Sequence, residues 1–371
     1  MILPLLLACT SADGDPDPAA TDTHGTATDT ADTGADTGGN DTADSDTTAD
    51  TADSTDTADT DPVEEPCIDR ILRGNGFFHE PDYLSASAVI NDDCSGTNHQ
   101  DITGIEHVVF VGDSITVGTP PNTPARFYRV QLATWLATTY GLTAPDSDWN
   151  GYDIVAGVGK LQDSGDFSVC AKWGARTDDL KKDNNQIADC IPEAVAGKTT
   201  LIVITVGGND LFSLAEDYYA AVPAADLRAA IEEAVTDLRD AITWVTTDKV
   251  RFPGKVYVVF ANLYEFTDGF GDVDACPGAD FVGIHYDLGA PIIAELIAFE
   301  QVEHLKIATE TQTDMIFLGE AFCGHGYNLS RADGRCYRDA DAELWFDASC
   351  FHPNNAGHDA IAGLFQSTIE Q

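Results

Sequence analysis

The sequence predicts an α/β fold, a three-layer α/β/α sandwich on a central parallel sheet of about five strands. Two observations lead there. Short runs such as Val108-Val109-Phe110-Val111 and Leu201-Ile202-Val203-Ile204 are apolar throughout rather than alternating, as in strands covered on both faces. Between them lie longer segments whose apolar residues recur every three or four positions, the pattern of helices crossing over a parallel sheet.

Taken in order, residues 67–98 form an irregular lead-in that should pack over an edge of the fold. The first strand, 107–111, stops at Gly112 and delivers Ser114. A helix over 125–140 follows from the spacing of Phe127, Val130, Leu132, Leu136 and Tyr140. The apolar stretch 152–158 is read as the second strand. Residues 159–198 then read as a long loop, and loops of that length in compact domains are usually functional. The third strand spans 200–206 and ends at Gly207-Gly208-Asn209-Asp210. A helix over 223–247 starts at a proline and carries Leu227, Ile231, Val235, Leu238 and Ile242 on one face. Strand four covers 255–260, a third helix 288–311, strand five 314–318, and a last helix starts at Ala356.

Composition divides the chain before any motif is considered. Residues 11–66 consist almost wholly of Thr, Ala, Asp, Gly and Ser, with no aromatic residue and no Lys or Arg. Such a tract has nothing to bury against the entropy of ordering it, so 10–66 is expected to be a disordered acidic linker. Residues 67–371 are left for one globular domain. The net charge is -44, and with the 17 acidic residues of the tract set aside the domain still carries 46 acidic against 19 basic residues. Nucleic acid and anionic membranes are bound chiefly through Lys and Arg, so a nucleic-acid partner is excluded. A monomer is expected.

Residues 1–9, Met-Ile-Leu-Pro-Leu-Leu-Leu-Ala-Cys, are an apolar run ending in a small residue and a cysteine. The end Leu6-Leu7-Ala8-Cys9 resembles a bacterial lipoprotein signal, with Cys9 the lipidated residue, although the run is short and no basic residue precedes it. Any contact with a membrane would be through that anchor. Eight further cysteines, an even number, fit four disulfides in an exported protein. Proximity favours Cys67–Cys94 and Cys170–Cys190, leaving the pairing of Cys276, Cys323, Cys336 and Cys350 open. Cys323, His325 and Cys336 match no standard zinc spacing, and Asp268, Asp272 and Asp274 lack the glycine and terminal glutamate of an EF-hand loop, so no metal is expected. A glycine-rich dinucleotide fingerprint and a Walker-type lysine loop are both absent, and no cofactor is expected.

What remains is a set of residues after strands or in loops at one end of the sheet. A serine hydroxyl becomes a useful nucleophile when an imidazole takes its proton, and attack on an ester creates an oxyanion that needs fixed donors. Ser114, Gly174, Asn209 and His352 supply those types in that order. At these residues the chain resembles the SGNH/GDSL hydrolases, serine esterases with a flavodoxin-like fold. Gly112-Asp113-Ser114-Ile115 resembles the nucleophile block, Gly174-Ala175 with Asp179-Leu180 the glycine block, Gly207-Gly208-Asn209-Asp210 the asparagine block, and His352-Pro353-Asn354 with Gly357-His358 the histidine block.

The resemblance runs from about 105 to the C-terminus. It implies Ser114 as nucleophile, His352 as general base, and the Ser114 N–H, Gly174 and Asn209 as oxyanion donors. Asp113 is expected to be a structural acceptor in its turn. The family's usual Asp three residues before the histidine is Ser349 here. Either Asp347, five residues before, orients the imidazole, or a backbone carbonyl braces a Ser–His dyad; the sequence favours Asp347, since a carboxylate also stabilises imidazolium. His358 is expected to pack or cap, and Trp173 to line an acyl pocket or the core. The reading is an exported serine ester hydrolase of carboxylesterase, lipase or phospholipase type, whose expected partner is a small-molecule, lipid or glycan ester. A carbohydrate O-deacetylase and an inactive binding lipoprotein are the alternatives.

Overall fold

The computed structural model describes residues 82–184, 186–284 and 288–371. Cys9, the signal segment, the acidic tract and Cys67 lie outside the described residues. The central sheet has six strands: β1 (His107–Gly112), β2 (Asp163–Ser164), β3 (Phe167–Val169), β4 (Thr200–Thr205), β5 (Val256–Ala261) and β6 (Asp314–Ile316). Their order across the sheet is β2-β3-β1-β4-β5-β6. Every pairing is parallel except that of the edge strand β2 with β3.

The six strands agree with the expected sheet of about five, but their membership differs: the stretch expected to be a loop contributes the antiparallel edge pair β2–β3. Residues 152–158 are not a sheet strand: Tyr152–Asp153 and Val158–Gly159 pair with each other in a separate two-stranded ribbon. The physical reason is exposure. Ile154 and Val155 are 45% and 91% exposed at the ribbon's turn, so the apolar run faces water instead of neighbouring strands. The strand beside β1 is Phe167–Val169, whose central Ser168 is buried yet satisfied by Asp163 Oδ1 at 2.6 Å and His107 Nε2 at 3.1 Å.

The pleat of the central strands sorts side chains to two cores. Val108, Phe110, Leu201, Val203, Tyr257 and Val259 face α2 (Tyr128–Tyr140) and α6 (Asn355–Glu370). Val109, Val111, Ile202, Ile204, Val258 and Phe260 face α4 (Ala224–Thr247) and α5 (Pro291–Thr311). Both faces are therefore covered, as the unbroken apolar strands require. The lead-in closes the β6 edge: Thr97 N donates to Met315 O at 2.9 Å and Phe317 N to Ser95 O at 2.8 Å. Three disulfides, Cys170–Cys190, Cys276–Cys350 and Cys323–Cys336, tie the loops, and Cys94 is also disulfide-bonded. Among the described residues, no helix is long and apolar enough to cross a membrane.

Candidate active site

The carboxyl end of β1 sets the site. Gly112 has φ +125°, and a Cβ there would lie 1.9 Å from the Thr205 carbonyl oxygen. Only glycine lets β1 and β4 stay this close where the chain leaves the sheet. Asp113 then caps α1 (Ser114–Val117), its Oδ1 accepting from Ile115 N at 2.9 Å. It is the turn acceptor that the sequence suggested. Ser114 opens the helix, so its own N–H has no intrahelical acceptor.

The glycine-block loop is held to this turn by backbone bonds. Cys170 N donates to Phe110 O and Lys172 N to Gly112 O, each at 2.9 Å, which carries the pairing with β1 past the end of β3. Gly174 follows with φ +78°. Asn209, the second residue of α3 (Gly208–Tyr219), donates Nδ2 to Ala175 O at 2.8 Å. That bond uses one of the two amide protons. The next residue contributes a tether that motif reading did not assign: Asp210 accepts from Thr177 N at 3.2 Å and Thr177 Oγ1 at 3.1 Å. Its place beside Asn209 was the available signal. Burial pushes the carboxyls of Asp113 and Asp210 up to about 7.

His352 arrives from the far end of the chain, on the loop before α6. Its Nε2 lies 2.9 Å from Ser114 Oγ. The loop is fixed by Asp347 N donating to His352 O at 2.9 Å, by the Cys276–Cys350 disulfide, and by Asn354. The Asn354 side chain accepts from Ala356 N and Gly357 N to cap α6 and donates to Leu344 O at 2.7 Å. Burial lowers the imidazole to about 4, so the ring is neutral over the physiological range.

The other imidazole nitrogen meets neither of its two expected partners. Nδ1 lies 2.9 Å from Ser349 Oγ, and Ser349 Oγ donates to Asp347 Oδ1 at 2.5 Å. Asp347 is brought into the cluster but reaches the ring only through the serine. Burial raises the Asp347 carboxyl to about 6, with the two Ser349 bonds opposing that rise.

A pocket opens from Ser114 and Asn209 and is otherwise mostly apolar, with Val206, Leu211, Ala215, Leu263, Ile293 and Ile297 among its walls. Trp173 is not part of it; its indole N–H donates to Gly118 O and its ring packs on Tyr152. His358 is fully buried and stacks on Tyr128, whose N–H it accepts at 3.3 Å, a packing role. Cys323 and Cys336 are joined to each other, so neither offers a thiolate to zinc. The Asp268 carboxylate accepts three backbone N–H groups, from Gly324, Gly326 and Asn328. Among the described residues, no group of three or more His, Cys, Asp or Glu is placed to hold a metal ion.

Comparison with known proteins gives the family. No curated protein matches the chain. Among solved structures, an extracellular lipase from Streptomyces rimosus is similar at 17% identity and a TM-score of 0.43, covering 71% of this chain and 99% of the lipase. A phospholipase A1 from Streptomyces albidoflavus NA297 is similar at 16% identity and a TM-score of 0.41, with 71% and 99% covered. A two-domain esterase active on acetylated mannans is similar at 14% identity and a TM-score of 0.37, with 72% of this chain and 48% of that one covered. The family model of the GDSL-like lipases and acylhydrolases matches residues 108–365, which include all four blocks. The chain belongs to that family, and is a hydrolase of ester bonds.

Proposed function

We propose that this protein is an exported serine hydrolase of fatty-acyl esters, acting through an acyl-enzyme on Ser114. The observation that carries the reading is the 2.9 Å approach of His352 Nε2 to Ser114 Oγ at the mouth of an apolar pocket. His352 Nε2 takes the hydroxyl proton as Ser114 Oγ attacks the ester carbonyl. The oxyanion is met by the N–H groups of Ser114 and Gly174 and by Asn209 Nδ2. Collapse of the tetrahedral species returns the proton from Nε2 to the alcohol, which leaves. Water then gives a proton to Nε2 and attacks the acyl group, and the second collapse frees the acid and restores Ser114.

The pocket favours a medium or long acyl chain over acetyl, because an acetyl group would leave its apolar walls unused. The disulfides favour an oxidising compartment, and the lipoprotein-like residues 1–9 with the 10–66 tract give a route out of the cell and a tether.

The test uses the full chain and Ser114→Ala, with p-nitrophenyl acetate, butyrate, octanoate and palmitate as substrates. Wild type should turn over and favour octanoate over acetate, the variant should be silent, and a fluorophosphonate should label only wild type. A preference for acetate alone would support the deacetylase reading. A folded wild type without activity on any ester would support the binding protein.

A further inference from the structure

We propose that Ser349 is a positioning residue for the hydrolysis, its hydroxyl linking Asp347 to the imidazole of His352. The inference rests on Ser114 and His352 as nucleophile and base, and adds Ser349 and Asp347 to that chain of contacts as its third and fourth members.

The argument is one of proton inventory. A serine hydroxyl has one proton to give and two lone pairs to receive. Ser349 Oγ has three neighbours. It lies 2.5 Å from Asp347 Oδ1, which as a carboxylate can only accept. It lies 3.3 Å from His352 N, which can only donate. The single serine proton therefore goes to Asp347, and the contact with His352 Nδ1 at 2.9 Å must be filled from the imidazole side. Nδ1 carries the hydrogen, so Nε2 presents its lone pair to Ser114 Oγ, the tautomer a general base needs. When Nε2 takes the Ser114 proton, the positive ring faces an oxygen whose own O–H points at a carboxylate. Every proton of the relay stays on its atom, and only the Ser114 proton moves.

The surroundings give the serine no freedom to do otherwise. Ser349 N also donates to Asp347 Oδ1 at 2.8 Å, Tyr327 OH holds the Asp347 carbonyl at 2.5 Å, and Cys350 is fixed by its disulfide to Cys276. Asp347 is 7% exposed, and its second oxygen is buried without a hydrogen-bond partner among the described residues. A carboxylate kept in such a place has one useful outlet, and that outlet is Ser349.

The experiment is a double-mutant cycle in the full chain, read as kcat and KM on p-nitrophenyl octanoate with Ser114→Ala as control. Ser349→Ala should lower kcat by about 10- to 100-fold, the worth of a hydrogen bond to a charged group, with KM within about twofold. Ser349→Thr, which keeps the hydroxyl, should recover most of the loss. Asp347→Asn alone should cost about tenfold, but less than about twofold when added to Ser349→Ala, because the link is already cut. If the alanine variant does not fold, Ser349→Cys keeps the size with a weak hydrogen-bonding group and should show the same loss of kcat. Ser349→Ala or Ser349→Cys within twofold of wild type, or full multiplication of the two losses, overturns the link while leaving Ser114 and His352 in place. An active Ser114→Ala overturns both readings.

Discussion

Filling the apolar pocket gives the sharpest test of what the enzyme accepts. Ala215 lies on α3, is 1% exposed and lines the pocket that holds Ser114. Ala215→Phe puts a ring where an acyl chain would lie, without touching any group that moves a proton. Each methylene buried by the substrate contributes about 0.8 kcal/mol. An octanoyl chain has six more methylenes than acetyl; if the pocket buries half of them, the gain is ~2.4 kcal/mol, or roughly 60-fold in kcat/KM for octanoate over acetate. Phenylalanine at 215 should remove most of that ratio while leaving kcat/KM on acetate within about threefold. The assay is kcat/KM on p-nitrophenyl acetate and octanoate, both below micelle-forming concentrations, beside urea unfolding of each protein. Overpacking should cost about 1–3 kcal/mol of stability. The reasoning fails if the octanoate-to-acetate ratio is unchanged in a folded variant, because the chain then lies elsewhere.

Four further outcomes follow from the same contacts. Gly112→Ala combines φ +125° with a Cβ 1.9 Å from a backbone carbonyl, so urea unfolding should show a loss of more than about 3 kcal/mol or no folded protein. Asn209→Ala removes the proposed oxyanion donor and the bond to Ala175 O at 2.8 Å; kcat should fall by about 100- to 1,000-fold with little change in KM. Cys350→Ser opens a loop closed over 74 residues, which should cost ~4 kcal/mol on the chain-entropy argument and show as a lower Tm. Burial holds Asp210 at about 7 in the fold, above the ordinary carboxyl value of about 4. The folded state thus binds that proton more tightly, a contribution present below about pH 4 and lost as pH rises through 7. The drop in Tm between pH 5 and 8 should therefore be smaller in Asp210→Asn than in wild type.

What the sequence disclosed, and what it hid, divides along a physical line. β1 and β4 were legible because each of their residues is buried, and a strand covered on both faces has to be written in apolar residues. The same rule misled at 152–158, where Ile154 and Val155 are apolar but exposed, and it missed β3, where a buried serine interrupts the run and is satisfied by Asp163 and His107. Composition reports the average environment of a segment, and hydrogen bonds from distant residues can reverse it. The site divides likewise. Ser114 and His352 are 238 residues apart, yet their meeting was legible, because a parallel sheet delivers every strand end to one edge and the blocks occur in order. The partner of the imidazole could not be found by looking for a carboxylate at a fixed spacing. The turn that brings Cys350 N onto Asp347 O leaves the carboxylate short of the ring, and a hydroxyl at 349 spans the gap. Spacing says which residues converge on a site; the turn between them decides which atoms touch. In the proposed relay, a serine where the family has an aspartate is then a displaced acid with an inserted link, its negative end two residues earlier in the chain.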